Sequence, residues 1–82
     1  MKTIGVDLHK DSMTIAVLDE NGQLERRETI PTKCRGRIVE FFVSYGLQCQ
    51  VAVESVGFYV WFWDLVQPLV GRLELANARL AK

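Results

Sequence analysis

The amino-acid sequence predicts one α/β domain built on a mixed five-stranded sheet, with elements in the order β-β-β-α-β-α-β. Three segments that alternate apolar and polar residues come first, and the turns between them are too short for a crossover, so we expect antiparallel neighbours. Two helical segments then alternate with two short apolar strands, which predicts parallel pairing through right-handed crossovers and helices on the faces of the sheet.

Length and composition restrict the function classes. The 82 residues are 49% hydrophobic and 24% charged, which is typical of a small globular domain with one core. The formal net charge is zero, so no strongly basic nucleic-acid surface is evident. No apolar run reaches the roughly 20 residues of a membrane span and no secretory signal opens the chain, so we expect a cytoplasmic protein without a membrane partner. Cys34 and Cys49 stand apart, which favours free thiols over a zinc site.

The first half of the chain predicts a three-stranded meander. Residues 2–8 and 12–19 alternate in hydrophobicity and are joined by only three residues, as in a hairpin. The Asn21-Gly22 pair is typical of a second tight turn, and residues 23–30 follow as a third strand. Its many charges suit the edge of a sheet.

A helix is predicted next. Pro31 ends the third strand, Thr32 is the candidate N-cap, and the helix runs to about Tyr45 before stopping at Gly46. The residues expected to form its buried stripe follow the i, i+3, i+4, i+7 spacing: Ile38, Phe41, Phe42 and Tyr45.

The remaining segments complete the sheet. Residues 50–54 read as a short, Val-rich strand parallel to the first and buried on both faces. A second helix is expected over residues 57–67, ending or kinking near Pro68, and residues 72–76 form a fifth strand. Residues 78–82 look like the start of another helix.

Two carboxylates end two of these strands, Asp7 in the first and Glu54 in the fourth. If the strands are adjacent and parallel, about 4.8 Å apart, the two side chains lie at the same carboxyl edge of the sheet. Neighbouring carboxylates repel unless a proton or a cation lies between them, and Mg²⁺ takes one or two carboxylates together with water and phosphate oxygens. Asp7 and Glu54 are therefore candidate catalytic, metal-binding residues for phosphoryl transfer. The simpler alternative is that each acid marks the start of a loop.

His9 and Lys10 occupy the turn beside Asp7 and are candidate nucleic-acid contacts, with a solvated turn as the equal alternative. Asp11 in the same turn is read as a turn residue. Ser55 after Glu54 is read as a helix cap.

The aromatic segment from Phe58 to Val70 is the most hydrophobic part of the chain. On a helix it forms two apolar stripes, and a sheet can cover only one of them. The first stripe is Phe58, Trp61, Phe62, Leu65 and Leu69, and the second is Tyr59, Trp63, Val66 and Val70. We expect the second stripe to contact either further parts of the protein or another subunit in a homo-oligomer.

Two motifs together resemble a known family. The segment I-G-V-D-L-H-K-D-S and the later V-E-S-V-G-F-Y are similar to the N-terminal domain of the DEDD transposases of the insertion-sequence "one-ten" family, which are related in this domain to the RuvC Holliday-junction resolvase. The likeness covers the whole chain. It implies a ribonuclease-H-like, RuvC-like fold and divalent metal, Mg²⁺ or Mn²⁺, at four acidic residues. By motif position, Asp7 matches the first of these acids and Glu54 the second.

The resemblance also implies parts that these 82 residues lack. In that family the last two aspartates follow the fifth strand, a separate domain carries a serine, and a guide RNA encoded by the element takes part in recombination on DNA. The chain therefore resembles a single truncated RuvC-like domain over residues 1–82, not expected to cut DNA alone.

Two other functions stay open. One is half of an actin-type or sugar-kinase ATPase, whose fold begins with a similar G-x-D hairpin but normally has a Gly- or Thr-rich turn where this chain has His9 and Lys10. The other is a non-catalytic dimerising module in which the aromatic helix carries the function.

Overall fold

The described part of the chain folds into one five-stranded mixed sheet and two α-helices, in the order that the sequence predicts for residues 2–76. A computed structural model describes residues 1–55, 57 and 59–76. The strands are β1 Lys2–Leu8, β2 Ser12–Leu18, β3 Leu24–Pro31, β4 Cys49–Ser55 and β5 Arg72–Ala76, and the helices are α1 Arg35–Tyr45 and α2 Val60–Val66. Short 3-10 helices, Gly46–Gln48 and Gln67–Leu69, precede β4 and β5.

The strand order is β3-β2-β1-β4-β5. The β1–β2 and β2–β3 pairs are antiparallel because tight turns join them. The β1–β4 and β4–β5 pairs are parallel because α1 and α2 carry the chain back along the sheet before β4 and β5 begin. The topology therefore places β1 and β4 side by side at the centre of the sheet.

Both helices cover the same face of this sheet, which corrects the expectation that they lie on its two faces. The alternating apolar residues of β1, β2 and β4 point to that face and join one core with α1 and α2. Phe42 of α1 meets Phe62 of α2 edge-on, with ring centroids 5.8 Å apart, and both side chains are fully buried. One layer of helices thus packs on one side of the described sheet.

The prediction that β4 is buried on both faces is wrong for the described part of the chain. Val51 and Val53 are buried under the helices, but Ala52 on the opposite face is only half-buried and Glu54 is exposed. No described helix lies over that opposite face, which we call the uncovered face. Its central positions carry small or polar side chains.

Helix α1 begins two residues later than a Thr32 N-cap would require. Thr32 is buried, and its hydroxyl donates a hydrogen bond to the Lys10 carbonyl oxygen at 2.8 Å. Its backbone N–H donates to the carbonyl oxygen of Asp11 at 3.0 Å. Thr32 therefore ties the β1–β2 turn to the end of β3, and Cys34 takes the N-cap position without a side-chain cap.

Helix α2 is shorter than predicted and buries different residues. It starts at Val60 rather than residue 57, and the chain tightens into a 3-10 helix that contains Pro68. Phe62, Val66 and Val70 are buried, so Val66 and Val70 belong to the core and not to a free second stripe. Phe58 lies outside the described residues, as does the helix expected over residues 78–82. No described helix is both long enough and apolar enough to span a membrane.

Candidate functional site

The two strand-ending carboxylates are direct neighbours in the sheet. Asp7 on β1 and Glu54 on β4 are register partners across the parallel pair. Adjacent strands lie about 4.8 Å apart, and register partners point to the same side of the sheet. Both carboxylates therefore belong to the uncovered face. They lie near the carboxyl ends of adjacent parallel strands, which is the position that the sequence predicts. Their chemical role stays a prediction.

A shallow depression of about 480 Å³ lies over this part of the uncovered face. Its centre is lined by Gly5, which is in register with Ala16 on β2 and Ala52 on β4. A Cβ atom added to Gly5 would meet nothing within 4 Å. Asp7 and Glu54 line the depression together with Thr14, the antiparallel partner of Asp7. Small residues thus leave space in front of two carboxylates.

The following turn supplies a side-chain partner for Asp7. The His9 Nε2 atom lies 3.2 Å from Asp7 Oδ2, and the two side chains are 65% and 58% exposed. At that exposure water screens the pair, and the contact orients the side chains more than it stabilises the fold. Glu54 makes no ion pair within the described residues, and no arginine neutralises either acid there.

The residues present can supply part of a divalent-cation site. Within the described part of the chain, no three side chains of His, Cys, Asp or Glu converge on one point. Mg²⁺ needs only one or two carboxylates when water and substrate phosphates fill its other positions. Two in-register carboxylates over an open depression fit that partial role.

The other candidate residues take more ordinary positions. The Lys10 side chain is exposed, and its carbonyl oxygen is held by Thr32. Ser55 is the last residue of β4 and is half-buried beside Leu8, and Tyr59 rather than Ser55 occupies the N-cap position of α2. Cys34 and Cys49 are free thiols, and burial raises the pKa of the Cys49 thiol.

Arg27 also lines the depression. In the sequence it belongs to the basic pair Arg26-Arg27, a candidate contact for a nucleic-acid backbone with a solvated surface as the alternative. It lies on β3 in register with Ala16 and lines the depression from the edge of the sheet. Its charge is of the sign that a phosphate group would require. The pairing of β3 with β2 places alternate β3 residues on the uncovered face, which brings Arg27 to the depression and Arg26 to the opposite face.

No protein-family model matches the chain, and no curated protein matches it. Among solved structures the chain is similar to a protein of unknown function with an actin-like ATPase fold from Bacteroides thetaiotaomicron, with a TM-score of 0.66 and 11% sequence identity. The match covers 92% of this chain but only 32% of that protein, so the chain spans about a third of its length. At this identity the likeness concerns the fold alone.

Proposed function

We propose that this chain is the metal-binding N-terminal part of a DEDD-type DNA recombinase domain with a ribonuclease-H-like fold. The observation that supports this proposal most directly is the register pairing of Asp7 with Glu54 on adjacent parallel strands. Paired carboxylates at the carboxyl edge of a sheet are suited to hold Mg²⁺ or Mn²⁺. Both lie within the two motifs that resemble the transposase family.

In this proposal each residue has a distinct role. Asp7 and Glu54 hold the cation, and the bound cation would supply activation of the attacking oxygen and stabilisation of the leaving oxygen in phosphoryl transfer. His9, beside Asp7, orients that carboxylate through their 3.2 Å contact. Lys10 extends from the exposed turn, where its ammonium group can reach a DNA phosphate.

The proposal assigns strand cleavage to a larger assembly. The resemblance implies two further aspartates, a serine-bearing domain and a guide RNA. We therefore expect this chain to bind metal weakly and to leave DNA uncut by itself.

A titration with Mn²⁺, observed by NMR on amide resonances, tests the metal site. We expect selective broadening of amides around Asp7 and Glu54, because a paramagnetic ion relaxes nearby nuclei. The broadening should disappear in the Asp7→Asn, Glu54→Gln double variant. It should persist in Glu40→Gln, which removes an exposed carboxylate from α1, away from the uncovered face.

Uniform weak broadening, or broadening that survives the double variant, would exclude a site between these strands. The variants replace exposed carboxylates by isosteric amides, so we expect the far-UV circular dichroism spectrum to stay unchanged. Loss of folding in these variants would assign the two acids a structural role instead.

A second candidate function rests on the solved-structure comparison. The similar protein has an actin-like ATPase fold, and an ATPase half would bind nucleotide phosphates at the β1–β2 turn. A thermal-shift series with ATP in the presence of Mg²⁺ distinguishes the two, because a ligand that binds only the folded state raises Tm with its concentration. A rise with ATP that inorganic phosphate does not reproduce would favour the ATPase reading over the recombinase.

A further inference from the structure

One edge of the sheet differs from the other in how its charges are engaged. At the β3 edge, Arg26 donates to Glu28 at 2.7 Å and lies 4.9 Å from the centre of the Phe41 ring. Arg37 of α1 also lies within 3.5 Å of Glu28, and Pro31 ends the strand. Charges and proline of this kind protect an edge from pairing with another strand.

The β5 edge has much less of this protection. Within the described residues β5 pairs only with β4. Its two charged residues, Arg72 and Glu74, contact each other at 2.5 Å and are 66% and 56% exposed. Next to this edge, Val60 and Leu75 are 61% and 42% exposed. They line an apolar groove of about 370 Å³ between α2 and β5, together with Tyr59, Trp63 and Asp64.

We infer that β5 pairs antiparallel with β5 of a second copy of this chain, in a register centred on Leu73. A two-fold axis perpendicular to the sheet keeps the two uncovered faces on one side, so only residues from the same face come opposite one another. Centred on Leu73, the pairing places Arg72 opposite the partner's Glu74 and Glu74 opposite the partner's Arg72.

The charge pattern selects this register. Opposite charges directly across an antiparallel pair stabilise it, and like charges destabilise it. Centring the pairing on Glu74 instead would place two glutamates face to face. In the Leu73 register Leu75 lies opposite the partner's Gly71, which has no side chain to obstruct it. Arg72 and Glu74 then exchange their contact within the strand for two equivalent contacts between chains.

The same arrangement covers the apolar groove. Joining the sheets at β5 creates a continuous ten-stranded sheet, in which both α2 helices lie on the same side and approach one another. Val60, Trp63 and Leu75, which are at least partly exposed in the single chain, then face the equivalent surface of the second copy. The symmetric contact would thus pair the β5 edge, which as an unpaired edge is open to non-specific pairing with other strands.

Charge reversal tests both the dimer and its register. Arg72→Glu makes the edge acidic and Glu74→Arg makes it basic, so each variant alone should dimerise about tenfold or more weakly than the wild type. An equimolar mixture should recover the dimer, because every cross-strand pair again joins opposite charges. The contact between residues 72 and 74 within each chain remains broken in both variants, so recovery reports on pairing between chains.

Sedimentation velocity measures the mass relative to the 9.4 kDa chain. Lys33→Glu and Glu40→Arg carry the same net-charge changes at exposed positions away from β5 and serve as matched controls, which should each dimerise like the wild type. A wild-type chain that stays monomeric throughout the accessible concentrations would overturn the inference. So would a dimer that persists in both β5 variants, or a mixture that fails to recover it.

Discussion

Replacing Gly71 by alanine should destabilise the fold through a clash with the main chain. Gly71 precedes β5, and its N–H donates to the Cys49 carbonyl oxygen at 3.0 Å. A Cβ atom here would lie 2.4 Å from the Leu47 carbonyl oxygen and 3.0 Å from that of Cys49, whereas ordinary contacts are 3.4–4 Å. The neighbouring atoms are backbone, so they cannot rotate away as a side chain would.

The expected cost follows from that distance. Relieving the Leu47 contact needs a shift of about 1 Å, and overpacking of this kind costs typically about 1–3 kcal/mol. Alanine also reduces the freedom of the unfolded chain, which offsets about 0.4–1 kcal/mol. We therefore expect a net loss of about 1–2 kcal/mol in the free energy of unfolding. For a domain of this size that lowers Tm by roughly 4–16 °C.

Thermal and urea unfolding followed by circular dichroism measures the effect. Gly36→Ala is the matched control, because a Cβ there meets nothing within 4 Å and the residue lies in the first turn of α1. Alanine favours a helix over glycine by about 0.5–1 kcal/mol, so this variant should be slightly more stable than the wild type. A Gly71→Ala variant as stable as the wild type would show that the turn before β4 does not approach β5 this closely.

Two further perturbations test the core and the buried thiol. Phe42→Ala removes a fully buried ring that contacts Phe41 and Phe62 edge-on. The free energy of unfolding, measured with urea, should fall by about 3–5 kcal/mol. A fall of less than about 1 kcal/mol would contradict the packing of the two helices. Burial raises the pKa of the Cys49 thiol above its ordinary value of 9.0. The contribution of the neutral thiol to the free energy of unfolding is therefore complete below pH 9.0 and is lost as pH rises from there towards the folded-state pKa. Cys49→Ala should reduce this alkaline loss, whereas the effect of Lys2, whose pKa its hydrogen bond to Glu25 raises, should remain.

Local sequence patterns were sufficient for the strands but not for the helix ends. The alternation of apolar and polar residues predicts the bounds of all five strands to within one residue of those in the structure. It does so because successive side chains of a strand point to opposite faces of the sheet. Thr32 has the chemistry of an N-cap, yet its hydroxyl bonds the carbonyl of Lys10, 22 residues earlier. Such a contact exists only once the sheet has formed, so no local pattern reveals it.

The choice of buried residues on α2 failed for a related reason. A uniform helical period assigned Phe62 to one stripe and Val66 to the other, but both are fully buried. Phe62, Val66 and Val70 are spaced four residues apart. The 3-10 helix Gln67–Leu69 lies between Val66 and Val70 and leads the chain back towards β5. The period itself changes at that turn, so extrapolating one helix across residues 57–70 could not identify the buried side.

The solvent exposure of Asp7 limits what can be inferred from an aspartate at the end of a central strand. Asp7 keeps 58% of its side chain in contact with solvent, so placing it there carries little desolvation cost and by itself requires no ligand. The informative observation is that a second exposed carboxylate, Glu54, which makes no ion pair within the described residues, is its register partner. The adjoining turn bears on which ligand they serve. The backbone N–H of His9 already donates to the Ser12 carbonyl oxygen at 2.9 Å, so this N–H is not free to bind a nucleotide phosphate. The two carboxylates, in contrast, stay open to a cation.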